Sequence, residues 1–159
     1  MTFLEHGLYG GAITYAINPE LFWVGVIVGM LPDLPWFIAI SYVNGPKKVI
    51  QMLIHKDKFI KDNPQFVYVI YYLSHSFVTA SILFAVLYLL QKELAILAIA
   101  YAFHILCDIP LHQKPYATRF LYPLSNFHFN GYSQREHRWV LIAQYPIIAL
   151  IYLYLFFSK

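Results

Sequence analysis

The chain has 159 residues, of which 60% are hydrophobic, 19% aromatic and 12% charged, with a net charge of +3. Soluble domains carry about 25% charged residues, so half that share cannot cover a water-soluble domain of this size, and the hydrophobicity excludes disorder. The small positive excess gives no case for nucleic-acid binding, and the single Cys107 excludes an intrachain disulfide and a cysteine-rich zinc knuckle.

The length suits a single domain over 1–159, an all-α integral membrane helical bundle. The opening stretch Met1-Thr2-Phe3-Leu4-Glu5-His6 lacks the basic start of a secretory signal and is expected to be retained. Residues 3–17 are apolar but short of the roughly 20 needed to span a bilayer. Asn18-Pro19 then ends their helix. Residues 21–43 are long enough, but Pro32-Asp33-Leu34-Pro35 interrupts them. A kinked or broken helix follows, of a kind tolerated in lipid only where protein or a polar cavity satisfies the freed backbone.

Residues 44–64 set lysines between Val49, Ile50, Leu53, Ile54 and Ile60 at near-helical spacing. This pattern predicts an interfacial amphipathic helix. Residues 66–90 read as one continuous spanning helix containing His75. After a tight turn at Gln91-Lys92-Glu93, residues 94–109 return with His104 and Asp108. Residues 110–138 are polar and aromatic, a structured loop with room for a short helix. Residues 139–157 form a final apolar span. The sum is about four to five membrane-embedded helices plus the interfacial one. Five basic residues in 44–64 and four in 110–138, against one in 91–93, put the first two loops on the cytoplasmic side of a cell inner (plasma) membrane.

Ionisable residues inside spanning segments are rare and point to function. Here there are five: His6, Asp33, His75, His104 and Asp108. His104 and Asp108 stand four apart, on one helical face, where they can converge on one ion. Imidazole with carboxylate suits zinc, or else manganese or iron. His75 and Asp33 reach the same centre if their helices pack antiparallel, and His6 enters from the first helix, where Gly7, Gly10 and Gly11 allow close backbone approach. Each residue alone has a plainer reading: a hydrogen-bonded histidine linking helices, an Asp108 capping its helix before Pro110, a solvated acid at a proline kink. Together they are harder to dismiss. An intramembrane charge costs on the order of 3 kcal/mol, and no Lys or Arg lies within these spans. A bound divalent cation is the simplest counter-charge.

The order of these motifs resembles the inner-membrane, metal-dependent hydrolase family, some of whose members are described as LexA-binding. The matching elements are His6, Leu31-Pro32-Asp33, Ser74-His75-Ser76 and His104-x-x-x-Asp108, followed by Tyr122-Pro123-Leu124-Ser125. The resemblance covers the chain to about residue 126. It implies a metal-dependent hydrolase and, through a more distant likeness to zinc-dependent phospholipase C, chemistry on phosphoesters. The family often has a His-Arg pair shortly before its Thr-His-Ser element. Ile70-Tyr71 stands in that region here, which removes one candidate ligand of a two-metal site.

In a catalytic site of this kind the ligands are His75, His104 and Asp108, completed by Asp33 and His6. Asp33 is alternatively a candidate general base, since a carboxylate beside a metal-bound water can accept its proton. Ser76, His112 and Arg119 are further catalytic candidates. His112 and Arg119, with Lys114, His128, Arg135, His137 and Arg138, give the 110–138 loop a cationic lining suited to phosphate. The plainer reading of that lining is contact with anionic headgroups. Phospholipid is the natural phosphoester substrate, because a site opening within the bilayer meets lipid first. Three rival classes share these residues: a proton- or ion-coupled transporter or channel, a haem protein ligated by His75 and His104, and a non-catalytic partner-binding protein docking through 44–64.

Overall fold

A computed structural model of the chain describes residues 3–55, 63–132 and 138–158. All regular structure among them is helical: α1 (Phe3–Ile17), α2 (Phe22–Met30), α3 (Asp33–Asn44), α4 (Pro46–His55), α5 (Gln65–Ser74), α6 (Phe77–Leu90), α7 (Leu97–Asp108) and α8 (Arg138–Phe157). Short 3-10 turns at Pro19–Leu21 and Lys92–Ile96 join α1 to α2 and α6 to α7.

α1 and α2 pack most closely, and α1 also meets α7 and α8. Glycine permits the approach. A Cβ on Gly10 would lie 2.9 Å from the Cα of Gly29, and one on Gly25 would overlap the Thr14 side chain. Small residues at these positions let the two backbones touch. Asn18 ends the pair by accepting the Glu20 amide at 3.1 Å, with Pro19 in the first turn where its missing N–H is not needed.

The chain breaks between α2 and α3 at Leu31-Pro32, and the two helices meet at 43°. The ring of Pro32 offers no amide to the ladder. Pro35 falls in the first turn of α3 and is accommodated there. One proline makes the break; the other does not disturb the helix.

The expected continuous helix over 66–90 is not what forms. α5 stops at Ser74, α6 starts at Phe77, and the two meet at 52°. Ser76 is the reason: its backbone is extended and its hydroxyl accepts the Val78 amide at 3.0 Å, a helix N-cap. The 110–132 segment satisfies the rest of the break. Phe77 donates its amide to the Phe120 carbonyl (2.8 Å), and Ser76 donates its hydroxyl to the Tyr122 carbonyl (2.5 Å). Tyr101 of α7 donates to the Ser74 carbonyl at 2.6 Å.

These breaks change the spanning pattern. No single helix among the described residues is long and apolar enough to cross a membrane; the pairs Pro19–Met30 with Asp33–Asn44 and Gln65–Ser74 with Phe77–Leu90 each reach that length and composition together. The expected final span is α8, which holds Pro146 in its interior and whose apolar part is Ile142–Phe157. At 1.5 Å per residue that part is roughly 24 Å long, short of the hydrocarbon thickness.

α4 covers ten residues of the expected amphipathic helix, Pro46–His55, while Asn44 ends α3. Val49 is fully buried among Ile40 and Val67, while Lys47, Lys48 and Ile50 face outward. The side chains of Leu53, Ile54 and Ile60 lie outside the described residues, as do those of Arg135, His137 and Arg138. Residues 110–132 contain turns and no helix, and they close on themselves where Tyr132 donates to the Pro110 carbonyl (2.7 Å) and Gly131 to that of His112 (2.9 Å).

Polar side chains share the interior with the hydrophobic core, and many large apolar ones lie outside it. Among the largest fully buried side chains are Glu5, Thr14, His75, His104, Asp108 and Thr118, whereas Trp23, Leu89, Leu90, Ile142, Leu150 and Phe157 stand well exposed.

Candidate metal centre

Three structural choices bring the polar side chains together. The α2–α3 break presents Asp33 at the start of α3, the α5–α6 break presents His75, and α7 carries His104 and Asp108 on one face. His75 thus sits at a helix break rather than in the middle of a span. One atom from each of these four residues lies within 4.8 Å of the others.

The separations between donors define a small polyhedron. The Nε2 atoms of His75 and His104 are 3.2 Å apart. Oδ2 of Asp108 lies 3.3 Å from the first and 3.2 Å from the second; Oδ1 of Asp33 lies 3.3 and 3.8 Å from them. Four donors around an ion at 2.0–2.1 Å are about 3.4 Å apart when tetrahedral. The donor set and its edges fit a four-coordinate divalent ion.

The imidazole tautomers make the fit specific. His75 donates its Nδ1 proton to the Tyr71 carbonyl (3.0 Å), and His104 donates its own to the Gly29 carbonyl (2.7 Å). A carbonyl can only accept, so both Nδ1 atoms carry hydrogen. With Nδ1 so held, the Nε2 atoms of both rings turn to the centre and converge on two carboxylates. Two buried carboxylates facing one point need positive charge beside them, and a divalent ion is one source of it. Backbone carbonyls holding the remote nitrogen of histidine ligands are the usual companions of such a site.

His6 belongs one layer out. Its Nε2 donates to Oδ1 of Asp108 at 3.1 Å, leaving Oδ2 for the centre, and its ring stacks on His104 at 3.5 Å. His112, four residues past the end of α7, places Nδ1 3.4 Å from Oδ2 of Asp108. Partial burial, which leaves the side chain 28% exposed, pushes the His112 pKa down to about 4, against the opposing pull of Asp108. The ring is therefore neutral at pH 7 and accepts a hydrogen bond from the Tyr71 hydroxyl at 3.0 Å. Its spacing continues that of His104 and Asp108, four residues on.

Ser76 is fully buried, with its hydroxyl engaged in the cap and in the Tyr122 carbonyl. Arg119 does not join the cluster: its guanidinium lies over the Tyr72 ring at 4.0 Å and donates to Asn126 at 2.7 Å. His128 hydrogen-bonds its own loop at the Asn126 carbonyl.

Tyr71 and Gly29 are the site residues that sequence reasoning passed over. Tyr71 stacks on His75 at 4.0 Å and stands where the resembling family has its His-Arg pair. Its position one turn before His75 was a usable signal. Nothing in the sequence marks the Gly29 carbonyl. Asp33, 16% exposed, is the most accessible of the four donors, whereas His75, His104 and Asp108 are closed to solvent.

No protein-family model, curated protein or solved structure matches this chain. The likeness to the inner-membrane hydrolases rests on the short motifs alone.

Proposed function

We propose that the protein is a membrane-embedded, metal-dependent hydrolase acting on a phosphoester of lipid-like character. The observation that carries the metal is the pair of Nε2 atoms 3.2 Å apart between two carboxylates, each ring held at Nδ1 by a backbone carbonyl. The many large apolar side chains left exposed, alongside imidazoles and acids buried within, support a lipid surrounding. The two bent helix pairs suit the same setting, because the 110–132 segment satisfies one break from within the protein. Basic residues in 44–64 and 110–138 favour the cytoplasmic side of an inner membrane for both.

His75, His104, Asp108 and Asp33 hold the ion, with zinc the best match to the mixed nitrogen and oxygen donors and the small polyhedron. When bound, a divalent ion of this kind acidifies water and polarises a phosphoryl oxygen. Four protein donors would close a tetrahedral ion, so Asp33, the most accessible of the four, would yield its place to the attacking water and accept that water's proton. Neutral His112, oriented by Tyr71, donates a hydrogen bond from Nε2 toward the leaving oxygen. His6 keeps Asp108 turned so that a single oxygen serves the centre.

Elemental analysis of the detergent-purified chain tests this reading, together with a screen against phospholipids and a generic phosphodiester. About one equivalent of zinc or manganese and metal-dependent turnover are expected. Less than a tenth of an equivalent after metal is added back removes the hydrolase.

A further inference from the structure

We propose that Arg119 is the core of a second, metal-independent subsite that binds a phosphate group, set behind the metal centre across a wall of tyrosines. A cavity of about 410 Å³ is lined by Gln65, Tyr68, Tyr72, Arg119, Tyr122 and Asn126 among others. Successive residues divide between the two sites. Tyr71 stacks on His75, whereas Tyr72 carries the Arg119 guanidinium on its face. Buried Thr118 lies 3.5 Å from the Tyr71 hydroxyl, whereas Arg119 turns into the cavity. Tyr116 packs on Tyr71 at 5.2 Å and completes the partition.

The guanidinium is held ready for an anion. Its face is fixed by Tyr72 and one N–H goes to the side-chain oxygen of Asn126, which leaves further donors of the five-membered fork. Among the described residues no carboxylate lies within ion-pair distance of it. Tyr72 is itself anchored by donating to the Pro115 carbonyl at 2.8 Å, and Tyr122 is anchored through its carbonyl by Ser76. A planar fork stacked on an aromatic ring loses little freedom when it binds, and its geometry matches phosphate oxygens in pairs. The choice of phosphate over other anions rests on the proposed phosphoester substrate; the cationic cavity does not. For such a substrate the subsite would hold a phosphate distinct from the bond that is cut.

The test uses the full chain in detergent, stripped with chelator so that the metal centre takes no phosphate. Calorimetric titrations compare dihexanoyl phosphatidic acid, dihexanoylglycerol and inorganic phosphate. Wild type is expected to bind the phosphatidic acid, with Arg119→Ala weaker by about tenfold or more and Arg119→Lys in between. Asn126→Asp, which sets a carboxylate beside the guanidinium without truncating it, gives the same loss and serves if the alanine variant does not fold. Displacement by inorganic phosphate would mean that the pocket reads free phosphate; failure to displace would mean that it needs the lipid-borne group. Equal affinity for the neutral glyceride, or Arg119→Ala and Asn126→Asp both within twofold of wild type, overturns the proposal. Because no metal is present, that result leaves the hydrolase standing, and absent metal in the purified protein leaves this subsite standing.

Discussion

His104 donates its Nδ1 proton to the carbonyl oxygen of Gly29 across 2.7 Å, between residues 75 apart in the chain. That bond places hydrogen on Nδ1 and turns Nε2 to the centre, and it forms because α2 lies against α1 at glycine distance and packs on α7. The same residue therefore serves packing and chemistry at once.

Gly29→Ala is expected to harm both. The added Cβ would meet the His6 carbonyl and lie 3.1 Å from the Gly10 Cα, so the helices must separate, at a cost of about 1–3 kcal/mol. The carbonyl moves with them, and metal affinity falls by about ten- to a hundredfold. Thermal unfolding in detergent and a competitive metal titration measure the two effects. An affinity unchanged alongside a lowered melting temperature would separate Gly29 from the site.

His104→Ala and Asp108→Ala each remove a donor from the centre and are expected to bring metal content to background and abolish turnover. His6→Ala takes away a hydrogen bond to the far oxygen of Asp108. It is expected to retain metal at saturation while weakening affinity by about ten- to a hundredfold. Metal analysis of the three variants side by side decides the assignment. Full occupancy in Asp108→Ala would move the site away from α7.

Tyr71→Phe keeps the carbonyl that orients His75 and loses the hydroxyl that faces His112. Metal content should be unchanged, and turnover should fall by about tenfold, the scale of one lost hydrogen bond of 0.5–1.5 kcal/mol. Single-turnover kinetics on metal-loaded protein provide the comparison. Loss of metal in this variant would make the tyrosine a structural support of the ligands instead.

Ser76→Ala tests the break between α5 and α6. It deletes the cap on Val78 and the bond to the Tyr122 carbonyl, and about 1–2 kcal/mol of stability should go with it. Because His75 is held separately through its Nδ1, the variant is expected to bind metal stoichiometrically. Unfolding curves and metal content together report the outcome. A variant as stable as wild type would show that the chain breaks there for another reason.

The sequence by itself determined the helical class, the short first helix, the ends at Asn18 and Gln91, and the set of ionisable residues from which the cluster is drawn. Those follow from local rules: apolar runs set length, proline removes an amide, and a four-residue spacing puts His104 and Asp108 on one face. Pro32 and Pro35 look alike in the sequence, yet only Pro32 breaks the helix, because Pro35 falls within the first turn that follows. Only the tertiary structure decided that residues 65–90 are two helices, since the backbone groups freed at the break are taken up by Tyr101 and Phe120 from distant segments. It alone separated Arg119 from the cluster, placed His6 behind Asp108 and supplied the Gly29 carbonyl. Each of these depends on a partner 27 or more residues away, and the direction of a side chain across such a distance is set by packing that no local pattern encodes.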